Sequence, residues 1–553
     1  MTNFSYSSDA IYATPLGGQG GFGRNCMLLE SNDDSILIDC GVMFPTTETP
    51  GVDLVIPDFS AAVGQGHRLK GLLLTHGHED HIGAIPYLLR EIKVPIYGSG
   101  FTLALVRKRL EEHGLDQSAE LIEIFSGDGI DLGAFSIKPF RVCHSIPDAM
   151  GFIIRTSVGQ LIHTGDYKFD HTPAIGDGSD FQMFSDIGDQ GTLVLFGDSS
   201  YSDRPGFNAS EQTLYEPFEK IFASSPGRIV FSTFASLISR IQQIIEVAAD
   251  FDRKVAVLGR SMERNVPLAV ELGFVHDPAG VLVDISDIQG LPVDRTVIIC
   301  TGSQGENRAA LARMANGDHR QIKIVDGDTV VLSSTPIPGN EDSVNRIIDK
   351  LFQLGANVIY EGVMPVHVSG HAAMEEIKLM LSMVRPKFLV PVHGEYRSLV
   401  QHAELAESVG YDSENIVIAS EGDVIEITAN SVKVVDHIQA DAIYVEGLVV
   451  GRANNEIFRE RKQLSSEGVL IAVVTIDKNA AKLACKPRLV TYGFSLDSQL
   501  KRMTQLVEDN IDLAKNSESD WTYIENEVRN TIRRHLKAET RLNPVILSVI
   551  TEI

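Results

Sequence analysis

The stretch GLLLTHGHEDHIGAIPYLLREI limits what this chain can fold into more than any other. An apolar, strand-like run over residues 71–75 ends in Thr75-His76-Gly77-His78-Glu79-Asp80-His81, and an apolar-periodic helix signal follows at once. Three histidines and an aspartate on a loop at a strand's end can converge on metal. Alternate residues of extended backbone point the same way, which pairs His76 with His78, and Asp80 and His81 then turn toward a second point. Imidazole and carboxylate donors suit zinc, manganese or iron without any thiolate. Only 16 histidines occur in 553 residues, so this clustering is improbable by chance.

The surrounding pattern is α/β. A chain of this length exceeds one core and predicts roughly three or four domains, or two with insertions. Strand signals at 26–30, 35–39 and 71–75 each end at a polar or glycine-bearing loop, and a second set follows at 151–156, 160–163 and 192–196. The rhythm then changes. Strand signals at 228–233, 254–259, 295–300 and 329–333 alternate with helices at 236–250, 306–315 and 342–354, which predicts parallel pairing with right-handed crossovers. This middle segment reads as its own α/β domain. The first rhythm resumes with an amphipathic helix over 372–384 and a strand over 388–392 that ends at His393. Residues 453–468 are polar and charged, the composition of a linker, and precede a small α+β unit with helices expected over 499–515 and 520–538.

The HxHxDH run is the signature of the metallo-β-lactamase superfamily, which the chain resembles. Other elements of that pattern occur in order: Asp39 in SILIDCG, His144 in CHSIPD, Asp166 in HTGDYK and His393 in VPVHGE. The resemblance implies an αββα sandwich. It also implies one metal on His76, His78 and His144, a second on Asp80, His81 and His393, Asp166 bridging them, and Asp39 as support. The separation of 227 positions between Asp166 and His393 matches the inserted domain of the β-CASP branch, whose motifs are similar to Asp198 in FGDSS, His371 in HVSGHA and His393. The strings LGGQGGFGRN, STFASLISRIQQI, GRSMERN, TGSQGE, PIPGNE and HVSGHA narrow the resemblance to the ribonuclease J family, over essentially the whole chain. The expected organisation is then a metallo-β-lactamase domain in two parts (1–206 and 372–450), a β-CASP domain (207–371), a linker (451–468) and an α+β assembly domain (469–553).

That resemblance implies a metal-dependent ribonuclease in which a dimetal-activated hydroxide attacks phosphorus, with catalytic Asp80, Asp166 and His371. It implies 5′-to-3′ exonuclease action on single-stranded 5′-monophosphorylated RNA together with endonuclease action, in mRNA decay and rRNA maturation. Zinc or manganese is the expected ion, with magnesium an alternative in turnover, and a homodimer or homotetramer is the expected assembly. His367, Ser369 and His371 alternate along an extended segment before the helix at 372, so all three can face a phosphate near a helix N-terminus. TGSQGE reads as a second phosphate nest with Ser303 and Gln304 as donors, and Ser232, Ser236, Arg260 and Arg264 are further RNA-contact candidates. Asp53 and Glu446 match a structural divalent-ion site of some relatives, although YVEGLVVGRANN departs from the family's aspartate- and glycine-rich version.

Composition excludes several classes. The net charge of −26 rules out a histone-like basic surface, but residues 469–553 carry 12 Lys/Arg against 11 Asp/Glu, so charge is unevenly spread. Five cysteines without CxxC spacing point to reduced thiols rather than a disulfide scaffold. No apolar run is long enough to span a membrane and no secretory pattern opens the chain, so the expected compartment is the cytoplasm. The glycines at 17, 18, 20, 21 and 23 lack the following helix and acidic residue of a dinucleotide site. Rival readings are a non-catalytic RNA-binding scaffold, a thioester hydrolase of the same fold, and a nuclease acting on DNA.

Overall fold

Long runs of Val, Ile, Leu and Phe in the first 440 residues form strands buried on both faces, and these stack into two sheets. The structure, a computed structural model, describes all residues except 1–6, 8, 32, 47, 65–67, 289, 338, 453, 454, 478–481, 497, 498 and 512–520. Two units separate, residues 1–43 with 56–442 and residues 44–55 with 443–553.

In the first unit an eight-stranded sheet has the order Val432–His437, Asp423–Ile427, Ile11–Gly17, Cys26–Glu30, Ser35–Ile38, Leu69–Leu73, Ile96–Gly98, Leu121–Glu123. A six-stranded sheet has the order Phe388–Val392, Val194–Asp198, Gln160–His163, Met150–Arg155, Phe135–Arg141, Ile130–Leu132. They share one core in which Ile11, Leu29 and Ile36 meet Phe135, Phe152, Phe196 and Val390. Helices Phe181–Asp189, Met374–Val384 and Tyr396–Ser408 cover the outer face of the six-stranded sheet through Phe184, Ile187, Ile377, Leu381 and Leu405. Helix Gly100–Glu112 lies along the other sheet beside Ile96–Gly98 and Leu121–Glu123. This is the αββα sandwich expected.

Between Asp198 and Phe388 the chain builds a third sheet, wholly parallel, in the order Lys254–Leu258, Thr296–Cys300, Ile229–Ser232, Thr329–Leu332, Asn357–Ile359. Helices Ile238–Asp250, Arg260–Glu271 and Glu341–Gln353 form its crossovers. The insertion leaves the sandwich intact because the strands on either side of it, Val194–Asp198 and Phe388–Val392, are parallel neighbours in register, Asp198 opposite Val392. The C-terminal ends of adjacent parallel strands therefore deliver Asp198 and His393 to one place, the usual site position in such sheets.

In the second unit, strand Val469–Asp477 alternates buried and half-buried residues and pairs with Arg488–Tyr492, Lys482–Leu483 and Val545–Glu552. Helices Leu500–Asn510 and Trp521–Glu539 cover one face through Met503, Val507, Val528, Ile532 and Leu536. The segment expected as a linker is instead the helix Asn455–Glu467. Its Arg461 pairs with Glu446 and its Phe458 is buried, so sparse apolar anchors rather than a periodic stripe hold it. Residues 512–520, which take in the end of the first expected C-terminal helix and the start of the second, lie outside the described residues.

Candidate metal centre

The parallel pairing of Ser35–Ile38 with Leu69–Leu73 sets Asp39 beside the histidine-rich loop. Asp39, held at φ 60° in the left-handed region, accepts Thr75 N at 2.8 Å and Thr75 Oγ1 at 2.8 Å on its two oxygens. The next turn permits no side chain at Gly41, where a Cβ would lie 1.5 Å from the Asp80 carbonyl oxygen. That close approach lets Cys40 N donate to His81 O at 2.7 Å and Asn25 N to Asp80 O at 3.0 Å, which fixes the loop.

Outer partners fix which nitrogen each imidazole turns inward. His81 Nδ1 donates to Asp39 Oδ2 at 2.8 Å, and His144 Nδ1 to Gly370 O at 2.7 Å. Thr75 Oγ1 gives its own proton to Asp39 and so accepts from His76 Nδ1 at 3.0 Å. Ser200 Oγ donates to Asp198 Oδ1 and accepts from His393 Nδ1. His76, His81, His144 and His393 thus all turn Nε2 inward, and His78 turns Nδ1 inward. His76 Nε2 lies 2.9 Å from His78 Nδ1, and His144 Nε2 lies 3.2 Å from that same Nδ1. Lone pairs this close repel unless a proton or a cation sits between them.

Asp166 Oδ2 stands at the centre of this array. It is 3.5 Å from His76 Nε2, 3.3 Å from His81 Nε2, 3.7 Å from His144 Nε2 and 3.8 Å from His393 Nε2. Asp80 Oδ2 lies 3.5 Å from the Nε2 atoms of both His81 and His393. His76, His78, His144 and Asp166 form one group of donors, and Asp80, His81 and His393 another, each with donor atoms within 4.8 Å of one another. Burial pushes His76 and His144 well below their usual range and His78 down to about 4, reinforced at His76 by His81 and at His144 by His78. Those rings are neutral at neutral pH. Burial works against protonating His81 and His393 too, but Asp166 and the neighbouring carboxylates outweigh it, raising His81 well up and His393 to about 10. Asp80 and Asp166 stay ionised because the nearby histidines overcome their burial. Five inward-facing imidazoles around two carboxylates are the donor set of a divalent-metal site, and thiolates have no part in it.

A third group with donor atoms this close is Asp166, Asp198, His371 and His393. Asp198 accepts His371 Nδ1 at 2.9 Å, Ser200 N at 2.9 Å and Ser200 Oγ at 2.7 Å, so its oxygens are engaged in orienting two imidazoles. Burial opposes protonation of His371, yet Asp198 raises it above the usual value, leaving Nε2–H free to donate.

The phosphate loop departs from the expectation that His367, Ser369 and His371 present together beside a helix N-terminus. Ser369 Oγ accepts His371 N at 3.0 Å in a local turn, and His367 Nδ1 lies 3.4 Å from Arg240 Nη1. The helix begins at Met374, and its first amides are taken: Met374 N by Arg204 O, Glu375 N by Gly206 O and Ala373 N by the Glu376 carboxylate. Side-chain and loop acceptors have satisfied the donors that a phosphate would use. Gln304 is similarly committed, donating to Thr335 O and accepting Ile337 N, and Ser303 is buried. Ser232 is fully buried, Ser236 is partly buried and Arg260 is exposed. Arg264 pairs with Glu79 and Glu112 rather than standing free.

Asp53 and Glu446 form no cation pocket. Both oxygens of Glu446 face Arg461, at 2.5 and 2.7 Å, and Asp53 Oδ2 accepts Gly447 N. The guanidinium supplies the positive charge that the expected ion would have supplied.

Several positioning residues escaped the sequence reading. Asn25 Nδ2 lies 3.0 Å from His81 Nε2 and 3.3 Å from Asp80 Oδ2. Buried Glu376 gathers Phe169 N, Ala373 N and Asn208 N onto one carboxylate. Arg240, fully buried, joins Glu211, Ser333 and Val366 O. An arginine inside a helix reads as solvent-facing in sequence, and only the surrounding carboxylates mark it as interior.

Four family profiles match most of this architecture. "Metallo-beta-lactamase superfamily" matches residues 19–233 and "Zn-dependent metallo-hydrolase RNA specificity domain" matches 356–419, which together with the site define a metallo-β-lactamase-fold metallohydrolase. "Ribonuclease J, beta-CASP domain" matches 226–351 and "Ribonuclease J C-terminal domain" matches 456–553. Ribonuclease J 1 of Streptococcus pyogenes is 41% identical over 100% of this chain and 99% of its own. Ribonuclease J2 of Bacillus subtilis is 38% identical over 99% of each chain, and ribonuclease J of Thermus thermophilus 38% identical over 98% of this chain and 96% of its own. The chain belongs to the ribonuclease J family. A protein of unknown function from Enterococcus faecalis V583, 16% identical with a TM-score of 0.53, shares the fold over 76% of this chain and 100% of its own.

Proposed function

We propose that this chain, a metal-dependent ribonuclease, degrades single-stranded RNA in the 5′-to-3′ direction from 5′-monophosphorylated ends and also cuts internally. The observation that carries the reading is Asp166 Oδ2, which stands within 3.3–3.8 Å of four inward-facing imidazole nitrogens. On this reading His76, His78 and His144 would hold one divalent ion and Asp80, His81 and His393 a second, with Asp166 placed to serve both. Zinc and manganese both suit these donors, and magnesium is the alternative in turnover. Bound there, such ions supply an acidified water at neutral pH and neutralise charge on the phosphate.

The protein's own groups do the rest. Asp39, Thr75 and Gly370 hold the ligand tautomers. Asp80 orients the nucleophile, and Asp198 holds His371 protonated so that its Nε2–H can pass to the leaving 3′-oxygen as general acid. Cleavage leaves a 5′-phosphate and a 3′-hydroxyl, so each product end resembles the next substrate end. The intact ligand sphere favours this over a non-catalytic scaffold, and the inserted domain favours it over a thioesterase. Exposed Val490, Tyr492, Leu547 and Val549 on the sheet of the second unit support its role as an assembly surface for a homodimer or homotetramer. Among the described residues no helix is long and apolar enough to cross a membrane, and cytoplasmic mRNA decay and rRNA maturation are the settings we infer.

The test compares 5′-monophosphate and 5′-triphosphate forms of one end-labelled RNA, with wild type and His81→Ala, in manganese and in chelator. Mononucleotide release from the monophosphate alone, lost in the mutant and in chelator, is expected. RNA that binds but is not cut with any metal would overturn the mechanism.

A further inference from the structure

Phosphate recognition beside the metal centre needs a cation, and the expected groups are committed elsewhere. The helix N-terminus at Met374 is closed by Arg204 O and Gly206 O, Ser369 is tied to His371 N, and His367 is held by Arg240. The other guanidiniums near these loops face carboxylates: Arg24 faces Glu421, Arg109 and Arg264 face Glu79, and Arg240 faces Glu211. Arg204 differs. Among the described residues its guanidinium has no carboxylate within salt-bridge distance and no side-chain hydrogen bond.

Arg204 is nevertheless held in place. Its Cζ sits 3.8 Å above the centre of the Tyr201 ring, a close cation–π contact. That ring meets His371 edge-on at 5.4 Å, so the platform shares a wall with the general acid. The Arg204 carbonyl is pinned by Met374 N at 2.9 Å, which fixes the backbone from which the side chain departs. After burial and Arg240, its charge is the next cause that lowers His367, which locates the guanidinium beside the HVSGH loop. The acids whose charge reaches the Tyr201 ring, Glu361, Asp198 and Asp203, form no ion pair with Arg204; Glu361 accepts Thr335 Oγ1 at 2.7 Å and Asp198 accepts His371 Nδ1 at 2.9 Å.

We propose that Arg204, seated on the Tyr201 ring, binds the RNA phosphodiester next to the scissile one and so sets the register of the strand against His371. This rests on the ribonuclease reading above and extends it. A stacked guanidinium keeps two edges of donors for a phosphate, which a lysine on the same stem does not.

The experiment measures KM and kcat of wild type, Arg204→Met, Arg204→Lys and Tyr201→Leu on a single-stranded RNA across a salt series. RNA with a 5′-hydroxyl and RNA with a 5′-phosphate form separate arms. Cleavage by wild type tests the ribonuclease reading by itself; the variants are read against that activity. Arg204→Met is expected to raise KM about tenfold or more, with the loss on KM rather than kcat, as one charge-assisted contact predicts. Its log KM against log salt slope falls by about 0.7, one phosphate contact on a single strand. Arg204→Lys recovers the salt slope but only part of the affinity, and Tyr201→Leu raises KM roughly threefold. Equal effects on both RNAs assign an internal phosphodiester; an effect confined to the 5′-phosphorylated arm overturns that assignment in favour of the terminal phosphate. An unchanged KM and salt slope, or a loss in kcat alone with the slope intact, overturns the proposal.

Discussion

Replacing Arg240 by Met tests whether a buried ion chain holds the inserted domain's end of the site. Arg240 has no exposed surface, and its guanidinium contacts Glu211 Oε2 at 3.1 Å, Ser333 Oγ at 2.6 Å and Val366 O at 3.1 Å. Methionine keeps the length and the packing but leaves Glu211 with only Lys168, 3.9 Å away and already committed to Asp170 at 2.9 Å. An uncompensated buried carboxylate costs about 3–5 kcal/mol. The loss falls where Arg240 connects helix Ile238–Asp250 to Val366 and His367, so opening of residues 366–371 becomes easier by that amount. Native-state hydrogen exchange of those amides reads it directly. Adding Glu211→Gln removes the stranded charge, so the double variant recovers more than half of the loss, a coupling typical of contacting residues. Exchange within about 1 kcal/mol of wild type, or a double variant no better than the single, would refute the chain of argument.

Three further outcomes follow from the geometry. Gly41→Ala drives a methyl into the Asp80 carbonyl oxygen, 1.5 Å away, and is expected to abolish RNA cleavage, with metal content by elemental analysis falling in parallel. Chelation abolishes RNA cleavage, and zinc or manganese restores it in wild type but not in His76→Ala, as a titration of activity against added metal would record. Buried His402 is held at about 4 by burial, below its ordinary 6.5. The unfolded chain therefore takes up a proton there that the folded chain refuses, so stability falls as pH drops from 6.5 to about 4, by about 3 kcal/mol from this group. His402→Asn flattens that acid limb, which denaturant midpoints on either side of the window measure.

Much of this was legible because the chemistry is local. HGHEDH sits at a strand end, where alternation and loop position locate it from sequence, whereas Asp39 and Asp166 were picked out by their resemblance to the metallo-β-lactamase pattern. The HVSGH loop was harder. Alternation placed His367, Ser369 and His371 on one side, but Arg240, from a helix 127 residues earlier, and the Arg204 carbonyl took their partners. Helix Asn455–Glu467 was missed since a single buried apolar residue, Phe458, and the Arg461–Glu446 ion pair anchor it, which leaves no hydrophobic period. Asp53 and Glu446 looked like ligands because a sequence lists carboxylates without the arginine that neutralises them.

The junction at Asp198 and Phe388 also dictates an order of assembly. Those two strands are nearest neighbours in the sheet, yet a whole domain of chain separates them. While that domain is unfolded, closing the gap carries the entropy of a very long loop. Once its own parallel sheet has condensed, its ends lie close together and the penalty shrinks to that of two short connectors. His393, the residue that completes the candidate metal centre, is thus expected to join the other candidate ligands after the inserted domain has folded. A metal centre split across an insertion in this way is completed only once the inserted domain exists.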